Sequence, residues 1–270
     1  MSELVKRSIT GFVLVAVMIA AILFHPISAL LLFASIALFS LNEFYLLMEH
    51  YNKISKRWIH AFAGAYLVVI SFISAMSMFS KWLLLPYFIY LFFVYLKEIY
   101  KKEDASIQRS GTVLLGHIYI ALPFALIGWF GFLRGEVYEP ILLLAIFICI
   151  WMNDSGAYLI GSQIGKTRLF ERISPKKSWE GFFGGLLVSI GVSQILAIYF
   201  PVLSHLQWAG FAATTSVAAT YGDLFESFLK RSIGIKDSSN ILPGHGGMLD
   251  RFDAPLFAIP AVMIYLYFFC

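Results

Sequence analysis

The chain has 270 residues, of which 60% are hydrophobic and only 13% are charged, with a mean hydropathy of +0.80 and a net charge of +4. Because an average soluble domain carries about 25% charged residues, this composition excludes a water-soluble globular protein. It predicts an integral membrane protein, and we expect no nucleic-acid partner.

Apolar runs of about 20 residues predict membrane-spanning helices, because a helix that rises 1.5 Å per residue must cross a hydrocarbon core about 30 Å thick. The sequence contains nine such runs, which predict an all-α, polytopic helical bundle. In chain order they cover residues 8–24, 27–47, 59–79, 82–96, 111–133, 140–161, 181–200, 206–229 and 252–269. The first run follows Lys6 and Arg7 as a signal peptide would, but no small-residue cleavage pattern follows it. We therefore interpret it as a retained span.

Lysine and arginine are distributed unevenly between the segments that join these runs. With a cytoplasmic amino terminus, 18 of the 20 Lys and Arg fall in cytoplasmic segments. The positive-inside rule therefore predicts this orientation, and nine spans then leave the carboxyl terminus outside. The cytoplasmic segments cover residues 1–7, 48–58, 97–110, 162–180 and 230–251.

We expect two regions. Residues 1–135 hold about five spans, and residues 136–270 form a transmembrane catalytic region. The two longest connections, 162–180 and 230–251, both belong to the second region and are cytoplasmic, so we expect the chemistry there.

Five acidic residues lie within or at the edge of predicted spans, where an ionised carboxylate is costly and usually marks function. They are Glu43, Asp154, Asp223, Glu226 and Asp253. Helix rise places the first three about 10–12 Å below the cytoplasmic border. Because Glu226 follows Asp223 by one helical turn, both carboxylates can project from one face, and two acids there favour a cation.

Simpler roles remain open for three of these acids. Asp253 would suit a helix N-cap, since Ala254 and Pro255 follow it. Asp154 would suit a structural hydrogen-bond acceptor beside Asn153. Glu43 would reach the membrane border or pair with a loop lysine.

Asp250 and Asp253 also lie three residues apart, at the predicted start of the last span. Just before them, the glycines of "PGHGG" precede a helix start, where backbone N–H groups can approach phosphate oxygens closely. Carboxylate oxygens suit Mg²⁺, which usually shares its coordination with substrate phosphates. The segment therefore predicts a magnesium–phosphate site.

Basic residues accompany these acids in both long connections. They are Lys166, Arg168, Arg172, Lys176, Lys177, Lys230, Arg231 and Lys236. Cations at this border can also only face anionic lipid headgroups, which is our interpretation of Lys53, Lys56, Lys101 and Lys102. The Ser, Gly and Pro between the charges of the long connections favour phosphate binding there.

At these residues the chain resembles the phosphatidate cytidylyltransferase (CDP-diacylglycerol synthase) family. The segment "SFLKRSIGIKDSSNILPGHGGMLDRFD" (227–253) resembles the family signature and matches it at twelve positions. A second segment, "NDSGAYLIGSQIGKTRLFERISPKKSWEG" (153–181), is similar to the family in its Ser-Pro-Lys-Lys run and the following Trp-Glu-Gly. The amino-terminal half agrees only in being polytopic.

The resemblance implies that CTP and phosphatidate give CDP-diacylglycerol and pyrophosphate, with Mg²⁺ and room for a second cation. On this reading Asp223, Asp250 and Asp253 are the catalytic metal ligands, supported by Asp154 and Glu226. The substrate-binding residues would be Ser174, Lys176, Lys177, Lys230, Arg231, Lys236, His245, Gly246, Gly247 and Arg251. The expected location is the inner or plasma membrane of a prokaryote, with anionic lipid headgroups as further partners and homo-oligomer formation left open.

Three other functions also use buried or clustered acids. An ion-coupled transporter usually places its site near the midplane between repeats, and no repeat is visible. A CDP-alcohol phosphotransferase would carry an Asp-Gly-x-x-Ala-Arg motif, which is absent. A CTP-dependent polyprenol kinase is the nearest alternative, and it would release CDP instead of pyrophosphate.

Overall fold

The structure is a computed structural model of the chain, and it describes residues 3–51, 54, 56–76, 81–100, 106–135, 137–235 and 246–270. For residues 3–8, 81 and 106 only the backbone is described. The chain forms two compact units, one from the described residues of Met1–Glu139 and Asp237–Arg251, the other from those of Pro140–Lys236 and Phe252–Cys270. The two functional regions expected from the sequence stay a prediction, because compactness does not test function.

The first unit is helical. Its elements are α1 (Glu3–Phe24), α2 (Pro26–Met48), α3 (Arg57–Ala75), a 3₁₀ turn (Lys81–Leu84), α4 (Leu85–Ile99), α5 (Ser106–Gly116), a π-helical segment (His117–Ala121) and α6 (Leu122–Phe130). The α1–α2 break follows from Pro26, which suits a first helical turn, and from His25, whose Nδ1 accepts the Ile27 N–H at 3.2 Å. α2 packs on α3, which packs on α6, and aromatic rings such as Phe33 and Phe124 fill the core.

The second unit adds one small sheet to its helices. Its elements are α7 (Ile141–Ile164), β1 (Arg168–Phe170), β2 (Ser174–Ser178), α8 (Trp179–Tyr199), α9 (His205–Ser232) and most of α10 (Leu249–Phe269). β1 and β2 pair antiparallel. α7 packs on α8 and α8 on α9. α9 begins with a capping box, because Ser204 accepts the Gln207 N–H while the Gln207 side chain accepts the Ser204 N–H.

Glycine allows α7 and α8 to approach closely. A Cβ at Gly185 would lie 2.8 Å from Oδ1 of Asn153, and one at Gly156 would lie 2.9 Å from the Val188 side chain. Across the same interface, the Ser189 hydroxyl donates to the Cys149 carbonyl at 3.2 Å. Close packing of small residues is the usual way in which helices associate in lipid, where no hydrophobic gain is available.

The helical prediction is confirmed, since each of the nine predicted spans coincides with a helix or a continuous helical run. Among the described residues, seven helices are long and apolar enough to cross a membrane. α9 is not one of them, and α1 contributes only the shorter apolar stretch Ile9–Phe24. The all-α membrane bundle therefore stands, whereas the count of nine spans and the orientation of the termini stay predictions.

Candidate active site

Three acids of the second unit converge where α9 and α10 approach each other. One oxygen from each of Asp223, Glu226 and Asp253 lies within 4.8 Å of the others. Glu226 is 1% exposed and Asp253 9%, whereas the Asp223 side chain is 40% exposed. The predicted face shared by Asp223 and Glu226 is therefore present, and Asp253 joins it from another helix.

Gly222 makes this convergence possible. A Cβ at this position would lie 2.6 Å from the Asp253 carbonyl oxygen and 3.1 Å from the Ala254 Cα. Such distances are too short for any side chain, because the nearest atoms belong to the backbone of α10. The glycine immediately before Asp223 thus brings the Asp253 segment against α9, a role that the sequence reasoning missed.

The alternative role of Asp253 as an N-cap is wrong. α10 begins at Leu249, so Asp253 lies in the helix and not at its first residue. Its Oδ1 accepts the N–H of Ala254 at 2.8 Å. Pro255 and Pro260 also lie inside α10.

Two lysines contact this cluster of acids. Lys177 forms an ion pair with Asp223, and Nζ of Lys230 lies 2.6 Å from Oε2 of Glu226. The second pair is nearly enclosed, since its side chains are 14% and 2% exposed. Because isolated buried charges are strongly unfavourable, the lysines explain how the carboxylates remain together. The Ser227 hydroxyl also reaches Oδ1 of Asp223, at 3.4 Å.

A cavity of about 590 Å³ opens beside Asp223. The charged residues in its wall are Asp154, Arg168, Lys176, Lys177 and Asp223. Tyr158, Leu169 and Phe182 are apolar wall residues, and Gly161, Gly165 and Gly181 also line the cavity. The cavity thus combines cations with Asp154 and with Asp223 of the acid cluster, and its volume lies in the range of about 300–1,000 Å³ typical of small-molecule sites.

The β1–β2 hairpin positions the lysines of this wall. Ser178 ends β2 and caps α8, where its hydroxyl accepts the Gly181 N–H at 3.1 Å. Glu180 accepts the Thr167 N–H at 3.1 and 3.2 Å through its two oxygens. Both ends of the hairpin are therefore tied to the start of α8, and Lys176 and Lys177 face the cavity.

The other predicted residues of this unit differ in where they lie. Ser174 and Arg231 are outside the cavity wall, whereas Asp154 and Arg168 are part of it. Ser174 pairs with Phe170 in the hairpin and is not among the lining residues. Arg231 is exposed, and its Nη1 donates to the Ile235 carbonyl at 3.2 Å. Asp154 lines the cavity, and its supporting role at the metal stays a prediction. Arg168 lines it too, and it belongs to the connection for which the sequence favours phosphate binding.

The turn from Gly246 to Asp250 lies in the first unit, where Glu43 binds its backbone. Glu43 is buried, and its two oxygens accept the N–H groups of Met248 at 2.9 Å and Leu249 at 2.8 Å. Asp250 in turn accepts the Gly247 N–H at 2.8 Å. Gly246 has a φ of +81°, which favours glycine. Glu43 therefore fixes the start of α10, and its pairing with a loop lysine stays a prediction.

The remaining predicted residues are only partly described. Arg251 is exposed in the first turn of α10, and its N–H donates to the Met248 carbonyl at 3.1 Å. Lys236 and His245 lie outside the described residues. Their predicted roles, and that of Asp250 as a metal ligand, stay predictions.

The amino-acid sequence is similar to those of known proteins. A family model described as "Cytidylyltransferase family" matches residues 5–269. The phosphatidate cytidylyltransferase of Staphylococcus epidermidis is 38% identical over 167 residues, which make up 61% of this chain and 62% of the relative. The protein of the same name from Staphylococcus aureus gives the same values.

A further relative extends the match. The phosphatidate cytidylyltransferase of Bacillus subtilis is 35% identical over 195 residues, or 72% of this chain and 66% of the relative. The chain therefore spans less than two thirds of the length of these relatives. The family model nevertheless covers the described helices of both units. The chain belongs to the cytidylyltransferase family.

Proposed function

We propose that the protein is a phosphatidate cytidylyltransferase that converts CTP and phosphatidate into CDP-diacylglycerol and pyrophosphate. The observation that carries this proposal is the cluster of Asp223, Glu226 and Asp253 beside a cavity walled by cations. The names of the relatives supply the substrate class, and family membership supplies the transferred cytidylyl group. Both substrates are anionic at the reacting centre, which explains why such a site needs cations.

We propose Mg²⁺ as the metal, held by Asp223 and Asp253 with Glu226 beside them. The three side chains offer only oxygen ligands, which suit a hard cation, and their spacing of at most 4.8 Å brings them to one centre. When bound, the ion would neutralise phosphate charge as a Lewis acid. We also propose Asp250 as a ligand, and this part of the proposal is supported only by its position in the sequence. The presence of a second cation is left open.

The reaction needs no protein nucleophile. A phosphate oxygen of the lipid forms a bond to the α-phosphorus of CTP, while the bond from that phosphorus to the bridging oxygen of the β-phosphate breaks. Pyrophosphate carries away the bonding electrons. Because the attacking phosphate is already anionic, the protein's task is to position the two groups and offset their mutual repulsion.

Arg168, Lys176 and Lys177 suit that task, because they line the cavity with positive charge. Lys177 pairs with Asp223, and a phosphate in the cavity would offer its ammonium group a second anion. Lys230, held against Glu226, offsets the buried carboxylates. We therefore assign Lys176 and Lys177 to the phosphates of CTP and Lys230 to the acid cluster.

The protein is a multi-pass membrane protein, as its apolar helices indicate. We propose that it resides in a prokaryotic plasma membrane, since the relatives are bacterial, and that the cavity opens to the cytoplasm, where CTP is found. The supporting observation is the concentration of Lys and Arg in segments 162–180 and 230–251.

The direct test is an assay of the purified protein in detergent with CTP, phosphatidate and Mg²⁺. We expect pyrophosphate and a new liponucleotide to form together, and neither to form without phosphatidate or after Mg²⁺ is chelated. Release of CDP with a polyprenol acceptor, and no liponucleotide with phosphatidate, would instead support the kinase alternative.

A further inference from the structure

The first unit contains a second cavity, of about 280 Å³, between the start of α3, the end of α4 and the start of α5. The described polar residues of its wall are Lys56, His60, Tyr90, Lys97, Glu98, Arg109 and Ser110. Neither the acid cluster nor any residue that we assign to catalysis lines it. This cavity is therefore a different site from the proposed catalytic cavity.

The wall of this second cavity is positively charged. Arg109 and Glu98 offset one another, since Nε of Arg109 lies 3.4 Å from Oε2 of Glu98 and both side chains are mostly enclosed. Lys56 and Lys97 are exposed, and within the described part of the chain neither forms an ion pair. The described residues of the wall therefore carry a net positive charge, which favours an anion.

The inner wall offers hydrogen-bonding groups that are held in place. Nδ1 of His60 lies 2.7 Å from the Tyr90 hydroxyl, and that hydroxyl lies 3.2 Å from Nε2 of His117. The Tyr87 hydroxyl contacts the other ring nitrogen of His117, at 3.0 Å. His117 begins the π-helical segment, and such segments are frequent at functional sites. This chain of hydrogen bonds fixes Tyr90 and His60 at the cavity.

The remaining described wall residues are apolar, and two of them are exposed. Ile59 is 51% exposed and Phe93 61% exposed, and both line the cavity with Ile54, Val94 and Val113. α4 belongs to a candidate membrane span that buries little of its surface within the protein. In a membrane the exposed apolar residues therefore contact acyl chains. The ligand that suits this cavity is thus an anion with acyl chains of its own.

The backbone conformation of Lys56 is an independent indication that this cavity is a binding site. It has a φ of 61°, in the left-handed region that non-glycine residues rarely adopt. Backbone strain of this kind clusters at functional sites and persists only where the surrounding structure holds it. Here the unusual residue contributes one of the two ammonium groups at the cavity.

We propose that this cavity binds the phosphate headgroup of an anionic membrane phospholipid, through Lys56 and Lys97, with its acyl chains along Ile59 and Phe93. The site holds a lipid that is not consumed. It differs in this from the catalytic cavity, which takes the acceptor lipid. The inference does not depend on the proposed reaction, because none of its residues belongs to the acid cluster.

The test is native mass spectrometry of the purified full-length protein with phosphatidylglycerol, which is anionic but is not the proposed acceptor. We expect one retained phosphatidylglycerol and little phosphatidylcholine. The variant with Lys56→Ala and Lys97→Ala should bind phosphatidylglycerol about 10- to 30-fold more weakly, at roughly 1 kcal/mol per lysine. Lys56→Arg with Lys97→Arg should retain it, because the charges remain.

A matched control removes the same charge elsewhere. Lys166→Ala with Arg172→Ala deletes two exposed cations that line neither cavity, and it should bind phosphatidylglycerol like the wild type. Equal losses in the two double-alanine variants would overturn the site in favour of general surface charge. Equal retention of phosphatidylcholine would also overturn it, as would displacement of the lipid by equimolar inorganic phosphate. Thermal unfolding of each variant in detergent verifies that it is folded.

Discussion

Asp223 differs from the other two acids of the cluster, because its side chain is 40% exposed and borders the cavity. Glu226 and Asp253 lie behind it and are almost enclosed. Carboxylates so close repel each other unless cations offset them, and Lys177 and Lys230 supply those cations. Asp223 is therefore the acid that a metal–phosphate complex in the cavity would meet first.

We predict that Asp223→Asn lowers the turnover number at least about 100-fold, because several kcal/mol of charge stabilisation would be lost with the metal. The fold should persist, since the side chain is partly exposed and Asn has nearly the same shape. Steady-state assays at saturating CTP and phosphatidate measure the effect. Glu139→Gln, which removes a carboxylate paired with Arg134 in the first unit, is the control and should remain active. Near-wild-type turnover of Asp223→Asn at ordinary Mg²⁺ would remove the residue from the site.

Among the helices, α10 is notable because its first turn depends on a residue of α2. Glu43 binds two backbone N–H groups at the start of α10, which is the N-terminal end of the helix dipole and favours a negative charge. Hydrogen bonds to a charged group contribute about 1.5–3 kcal/mol each. The turn from Gly246 to Asp250 is thus fixed from a helix about 200 residues earlier in the chain.

We predict that Glu43→Gln loosens this turn and lowers turnover, because the amide offers one acceptor and no charge to two donors. Hydrogen exchange at the amides of Met248 and Leu249 should speed up about tenfold or more. Glu49→Gln is the matched control, since it makes the same change directly after α2, where Glu49 caps the helix, is partly exposed and pairs with Arg57. If both variants exchange these amides at the wild-type rate, the capping role of Glu43 is wrong.

The α7–α8 interface depends on glycine at particular positions. We predict that Gly185→Ala lowers the thermal unfolding temperature in detergent, because its methyl group would meet the backbone and side chain of Asn153 and overpacking costs about 1–3 kcal/mol.

Gly191→Ala is the control, on the same helix. Nothing lies within 4 Å of a Cβ there, and alanine favours a helix over glycine by about 1 kcal/mol, so its unfolding temperature should hold or rise. A destabilisation of equal size in both variants would show that close packing at Gly185 is not the cause.

At the scale of the whole molecule, the helices and the local acid pair were predictable, and the long-range contacts were not. Apolar runs predict spans because the membrane imposes their length, and the pairing of Asp223 with Glu226 follows from helical periodicity. The contact of Glu43 with Met248 joins residues 205 positions apart, which no local pattern encodes.

Two local features were also missed. The β1–β2 hairpin contains Ser174, Pro175 and two lysines and shows no alternation of apolar and polar residues, so the sequence indicated only a loop there. Gly222 gave no signal of its own, because its role depends on the helix that packs against it.

The orientation in the membrane is predicted from charge alone, and it can be measured. Both native cysteines would be replaced by Ala and a single thiol introduced by Ser239→Cys, in the segment 230–251 that is predicted to be cytoplasmic; position 239 lies outside the described residues. In right-side-out vesicles, an impermeant thiol reagent should label this position only after the membrane is opened. Arg134→Cys is the reciprocal control and should be labelled in intact vesicles. Labelling of intact vesicles at position 239 would reverse the proposed topology.

The proposed reaction transfers the α-phosphate of CTP, and not the γ-phosphate, to a lipid. It is tested by supplying the purified protein and phosphatidate with CTP labelled with ³²P at either position. We expect the α-label to enter the lipid fraction and the γ-label to appear only in pyrophosphate. Entry of the γ-label into lipid, or absence of both labels from it under conditions in which the protein is folded, would rule out a cytidylyl transfer to phosphatidate.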